Sequence, residues 1–357
     1  MLFWLNLPPI AVTAGGLAFF LGFDHPPDGT LASLGRVDWV GILIFIPSAV
    51  AVLMPFTMSG IFFPWMSWQA MLPLGLGTSG LVLLAFHQRY FAKYPMFRPS
   101  LFKRWATIFS FLGQTVFGIC VNMIFYYLVV FWSGVWGFDE LLTGVALFPE
   151  TVCIPVAAIV CGLLMRKTRK VGWAMWLGWP LTSISIGLLW FLDTATPLGV
   201  LIFINMGVGL GAGIVISALN MGLLVTTKKE DNGHSMAMGL LSKSAGMCLG
   251  IAIGTAVFTV KMDNELQQKG NFDVTAESFL RMLKEVSKDE TERQVIVHTL
   301  RILWIICCGL SGLIGLCCCF CRYPDMPGPD ITESVEPAPE SLVDAKEPHL
   351  GTNRPLV

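Results

Sequence analysis

Residues 198–225 read LGVLIFINMGVGLGAGIVISALNMGLLV, a run without a charged side chain. A helix needs about 20 mostly apolar residues to cross the hydrocarbon core of a bilayer, so this run reads as a membrane span. Only Asn205, Ser217 and Asn220 interrupt its apolar surface, too few to give a helix the polar face it would show to water. In lipid every backbone N–H and C=O must be satisfied inside the segment, which leaves the α-helix as the reading.

Working outward, eight more runs of this kind give nine expected spans. They are Leu7–Phe23, Val37–Thr57, Trp68–His87, Trp105–Phe131, Leu141–Met165, Val171–Leu192, Leu198–Val225, Met236–Val260 and Ile302–Cys321. The first opens with Asn6-Leu7-Pro8-Pro9 and lacks a basic stretch before it. It therefore reads as a capped helix start and not as a secretory signal. Composition agrees, with 54% of the 357 residues hydrophobic and 13% charged, against roughly 45–50% and about 25% in soluble domains. The mean hydropathy is +0.68. The expected fold class is an all-α integral membrane protein in a lipid bilayer, with no soluble catalytic domain. A net charge of −1 gives no reason to expect a nucleic-acid partner.

Basic residues in short loops set the orientation. One set of alternate loops holds Arg36, Arg89, Lys93, Arg98, Lys103, Arg104, Arg166, Lys167, Arg169, Lys170, Lys228 and Lys229. The opposite loops, 58–67, 132–140 and 193–197, hold no Lys or Arg. The first side is read as cytosolic, with the N-terminus outside and the C-terminus in the cytosol. The long segment 261–301 then lies outside. Within it Phe279, Leu280, Met282, Leu283 and Val286 recur at helical spacing, compatible with a short surface helix or with a solvated loop. Residues 322–357 turn to Pro, Glu, Asp and Ser, the composition of a disordered cytosolic tail. No N-x-S/T acceptor occurs, so no N-glycan is expected.

The chemistry of an enzyme is missing. His25, His87, His234, His298 and His349 lie at span ends, in loops or in the tail, and no pair has metal- or haem-ligand spacing. No G-x-x-x-x-G-K-[ST] loop is present for ATP-driven transport. No cofactor and no metal are expected. Six of the ten cysteines, Cys307, Cys308, Cys317, Cys318, Cys319 and Cys321, gather in the last span and at its cytosolic end. They read either as palmitoylation sites or as small apolar side chains facing lipid and neighbours.

Polar groups inside spans are costly, and a functional role is the default for charged ones. The candidates for lining a substrate cavity or coupling to protons are Gln114, Asn122, Tyr126, Glu150, Asn205, Asn220 and Lys243. The bland readings stand beside these. Glu150 lies near the outer interface, Lys243 can snorkel to the cytosolic face, and the amides can serve as interhelical glue. Glu150 is the best candidate for a proton carrier, because burial lets a carboxyl exchange protons closer to neutral pH. Gly207, Gly209, Gly211 and Gly213 in the seventh span, and Gly246, Gly250 and Gly254 in the eighth, form stripes for close helix packing. Static packing and sliding during a transport cycle are both compatible with such stripes.

Several stretches resemble the fungal fourteen-span drug:proton antiporter subgroup of the major facilitator superfamily. They are FWLNLPP at 3–9, VDWVG at 37–41, GIFFPWMS at 60–67 and PMFRPSLF at 95–102, the last similar to the subgroup's P-L-x-P-x-x-L-F loop. Ser242-Lys243-Ser244 followed by GIAIGTAVF at 250–258, and HTLR at 298–301 before the last span, continue the likeness. The resemblance implies the last nine of fourteen spans. Residues 1–23 would close the N-terminal half, 24–104 would carry two linker-type helices and a cytosolic loop, and 105–321 would form the C-terminal six-helix half. It further implies proton-coupled efflux of small apolar compounds such as drugs, toxins or secondary metabolites, with siderophore transport as a neighbouring reading. The plasma membrane is the first expected location and the vacuolar membrane the second. The five preceding spans, with their G-x-x-x-D-R-x-G-R/K and G-x-x-x-G-P-x-x-G motifs, have no counterpart here, so a truncated or degraded relative of an efflux pump is expected. A non-transporting membrane partner, assembled as a homo- or hetero-oligomer, is the reading from a different class.

Overall fold

The computed structural model describes residues 4, 6–20, 38–58, 63, 66–92, 99–194, 196–268 and 290–326. Among them the chain forms nine α-helices and no strand. These are α1 (Leu7–Phe20), α2 (Trp39–Met58), α3 (Trp68–Tyr90), α4 (Trp105–Gly134), α5 (Glu140–Thr168), α6 (Gly172–Leu188), α7 (Leu198–Thr226), α8 (Asn232–Gln268) and α9 (Glu290–Phe320). Eight are long and apolar enough to cross a membrane. The first expected span is the exception. Its 14 described residues rise about 21 Å at 1.5 Å each, short of a core about 30 Å thick.

The chain divides into two compact units, Met1–Arg98 and Pro99–Val357. In the first, α2 and α3 form an antiparallel hairpin. Ser48 and Val52 of α2 pack directly on Gly77 of α3, and the Ser48 hydroxyl also meets Gly80. Within the second unit, Leu101 is buried with Phe111 and Leu223.

The second unit is built around α4, whose spanning window is 61% buried inside the protein, against 17% for α5. α8 runs parallel to α4, with Gly246 and Gly250 on the backbone at Thr115 and Ile119. α5 runs parallel to α7, and α6 antiparallel to it, while α9 packs on α4 and α6. Two apolar cores result. One end holds Met123, Leu128, Trp132, Ile204 and Leu303, and the other holds Met165, Trp179, Val215 and Cys318. Lipid is as apolar as these side chains, so close packing and not hydrophobicity holds the helices together.

Two expectations near the last spans change. The eighth helix runs on from Val260 to Gln268 and the ninth begins at Glu290, twelve residues before Ile302. Apolar runs stop where the hydrocarbon core stops, whereas Lys, Glu, Leu and Gln carry a helix beyond it. The tail also does not become loose at Tyr323. Its hydroxyl lies 3.3 Å from Ser110 Oγ, and Met326 N–H donates to the Arg169 carbonyl at 2.9 Å. Burial pushes the Tyr323 phenol up, so it stays protonated. The expected surface helix around Phe279–Val286, and the tail from residue 327, lie outside the described residues.

Candidate functional site

The seven polar candidates fall into two groups. In the first, each side chain makes a hydrogen bond or is at least partly exposed. Asn122 of α4 donates its Nδ2 hydrogen to the Met247 carbonyl of α8 at 2.7 Å. Gln114 of α4 donates from Nε2 to Asn220 Oδ1 of α7 at 2.8 Å, leaving its own Oε1 buried without a partner. Tyr126 is 43% exposed and edge-on to Tyr127, with ring centroids 5.0 Å apart. Tyr127, not Tyr126, is the buried ring, lodged against Gly254 and Phe258. Lys243 of α8 is half-buried. Its backbone carbonyl meets Gly118, and its ammonium makes no ion pair among the described residues.

The second group is Glu150 and Asn205. Glu150 is 2% exposed and its Oε2 has no hydrogen-bond partner; Asn205 is 0% exposed and neither Nδ2 nor Oδ1 has one. Glu150 lies ten residues inside α5 from Glu140, about 15 Å along the helix axis. Its carbonyl is in contact with Gly209 of α7, one turn beyond Asn205. Pro149 and Pro155 flank the acid within α5. Each removes a backbone donor and frees a carbonyl one turn earlier, so this stretch of α5 is polar in its backbone as well.

The glycine stripes separate by face. Gly207 and Gly211 turn toward Ser185 and Thr182 of α6, while Gly209 and Gly213 meet Glu150 and Ile154 of α5. A Cβ at Gly211 would stand 2.8 Å from the Thr182 backbone. α7 is thus gripped from two sides with no room for a side chain. Ser217 extends the α5 seam, donating to the Ala158 carbonyl at 3.0 Å.

Other polar clusters were not singled out by sequence. Asp38 caps α2 by accepting the Gly41 N–H at 2.8 Å, and it also accepts from Gln88 Nε2, with His87 Nδ1 3.8 Å away. The signal for it was present, an acid immediately before an apolar helix. Arg301 reaches Asp193 Oδ2 at 3.7 Å and lies over the Trp190 ring at 5.7 Å, tying α9 to the end of α6. The ten cysteines are free thiols. Cys318 is buried and directed at the Phe109 carbonyl, whereas Cys317, Cys319 and Cys321 are half-buried. Among the described residues no group of three His, Cys, Asp or Glu is placed to hold a metal ion.

No protein-family model matches the chain. Curated relatives do. It is 30% identical over 324 residues to the MFS transporter L2 of a Phoma species, covering 87% of this chain and 54% of the relative. It is 27% identical over 316 residues to the MFS efflux transporter aclA of Aspergillus oryzae, covering 85% and 57%. It is 25% identical over 335 residues to the MFS-type transporter of the acurin A biosynthesis cluster of Aspergillus aculeatus, covering 89% and 60%. The chain spans little more than half the length of these relatives.

Proposed function

We propose, on the premise that this chain belongs to the major facilitator superfamily of membrane transporters, that it serves the proton-coupled export of small, largely apolar compounds. The family is one of multi-pass transporters and not of enzymes. Export is supported by relatives named as efflux transporters, and a secondary-metabolite cargo by the relative named for a biosynthesis cluster. The basic loops favour a cytosolic C-terminus, and the plasma membrane is the first location to test, ahead of the vacuolar membrane.

The observation that carries the proton-coupled reading is Glu150. A carboxyl buried between apolar helices without a hydrogen-bond partner is costly, and such groups mark ion and substrate pathways. Gln114, Asn220 and Lys243 are the further polar groups proposed along the path, with Tyr126 on its edge. Expression of the full chain in yeast stripped of its own pumps tests this, with rhodamine 6G as the exported probe. Export should collapse when a protonophore is added, and Glu150→Gln should bring it to the level of cells without the protein. Export by Glu150→Gln equal to wild type removes Glu150 from the mechanism.

A further inference from the structure

One end of the second unit carries an open cavity of about 1170 Å³. Four cationic side chains enter its wall: Lys103 and Arg104 before α4, Lys170 before α6, and Arg322 just after α9. Asp325 is the one carboxylate on that wall, and none of the four cations makes an ion pair among the described residues. α4 and α6 both begin here, and neither has a side-chain cap on its first N–H groups. Four cations without an ion pair among the described residues, and the positive ends of two helix dipoles, therefore converge on one space.

The rest of the lining says what kind of anion fits. Trp105 and Trp176 border the cavity 73% and 62% exposed, and Phe320 beside them is 84% exposed. Tryptophan at the end of an apolar helix marks the membrane–water interface. A phosphate drawn from bulk water has no use for such a border, whereas acyl chains would cover it. We propose that this cavity holds the phosphate-bearing headgroup of an anionic phospholipid, with the lipid tails lying over Trp176 and Phe320. The strap Arg322–Asp325 forms one side of the site, pinned by the Tyr323–Ser110 and Met326–Arg169 contacts. The site depends on neither proton coupling nor cargo, so it stands or falls apart from the transport reading.

The test uses the full chain purified into phosphatidylcholine nanodiscs, with and without phosphatidylinositol, and counts bound lipid by native mass spectrometry. Wild type should retain phosphatidylinositol in preference to phosphatidylcholine. The variant Lys103→Gln/Arg104→Gln/Lys170→Gln/Arg322→Gln should lose about tenfold or more of that retention, since each basic residue at an anionic surface is worth about a factor of five. Arg166→Gln/Lys167→Gln, which removes two charges from the same end but outside the cavity wall, should keep it. Where the fourfold variant does not fold, Lys170→Gln/Arg322→Gln is read against Lys170→Arg/Arg322→Lys, which should restore binding. Equal retention by the cavity and control variants overturns the site, as does equal binding of both lipids by wild type. Glycerophosphoinositol binding to wild type as tightly as the intact lipid would assign the cavity to a soluble phosphate and overturn the lipid.

Discussion

Two parallel helix pairs, α4 with α8 and α5 with α7, close on glycine in the same way, yet their buried polar groups end differently. In the α4–α8 seam Asn122 has found the Met247 carbonyl. In α5 and α7, Glu150 and Asn205 are more deeply buried than Asn122, and three of their side-chain polar atoms have no partner. An interhelical hydrogen bond in a membrane averages about 0.6 kcal/mol, while leaving a buried polar group unpaired costs about 1–3 kcal/mol. The first arrangement holds helices together. The second costs the fold stability, and it makes sense where the missing partner is a proton or a passing ligand.

The largest effect should come from the feature the two seams share. Gly213→Leu and Gly246→Leu each force a side chain onto a facing helix backbone, and each should cost about 1–3 kcal/mol or more. Thermal unfolding in detergent reads this, and similar losses at both sites confirm that the seams are built alike. Glu150→Leu should then separate them, raising stability by about 1–3 kcal/mol because it removes an unpaired polar group. A loss of stability there would mean Glu150 has a partner, and the contrast would vanish. Asn122→Leu should go the other way, losing roughly 0.6 kcal/mol. Smallest of all, Tyr323→Phe removes only the long contact to Ser110 and should cost about 0.5 kcal/mol.

Much of the fold was legible because lipid imposes one rule on every span. Uncharged runs placed the eight long helices, and the family resemblance agreed with their order. The rule says nothing beyond the hydrocarbon core, which is why the extension of α8 through Lys261 and Gln268 and the start of α9 at Glu290 were missed. Tyr323 was hidden for another reason. It stands in a polar stretch of tail composition, and its lodging against Ser110 and Gly222 depends on three helices meeting. At the candidate site, sequence supplied the polar residues but not their partners. Nothing in the spacing of Asn122 and Glu150 tells that one is bonded across a seam and the other is not, because partners come from other helices. The alternation of the α7 glycines at 207, 209, 211 and 213 was visible as a stripe; that it serves two different neighbours required α5 and α6 in place.

The central claim, that Glu150 is held unpaired in order to carry a proton, is tested most directly by proton flux. The full chain is reconstituted in liposomes loaded with a pH-sensitive dye, and rhodamine 6G is added to one side. Wild type should move protons against the probe, and Glu150→Gln should show no proton flux while still exchanging probe between the two sides. Proton flux in Glu150→Gln equal to wild type would contradict the account and return Glu150 to the fold.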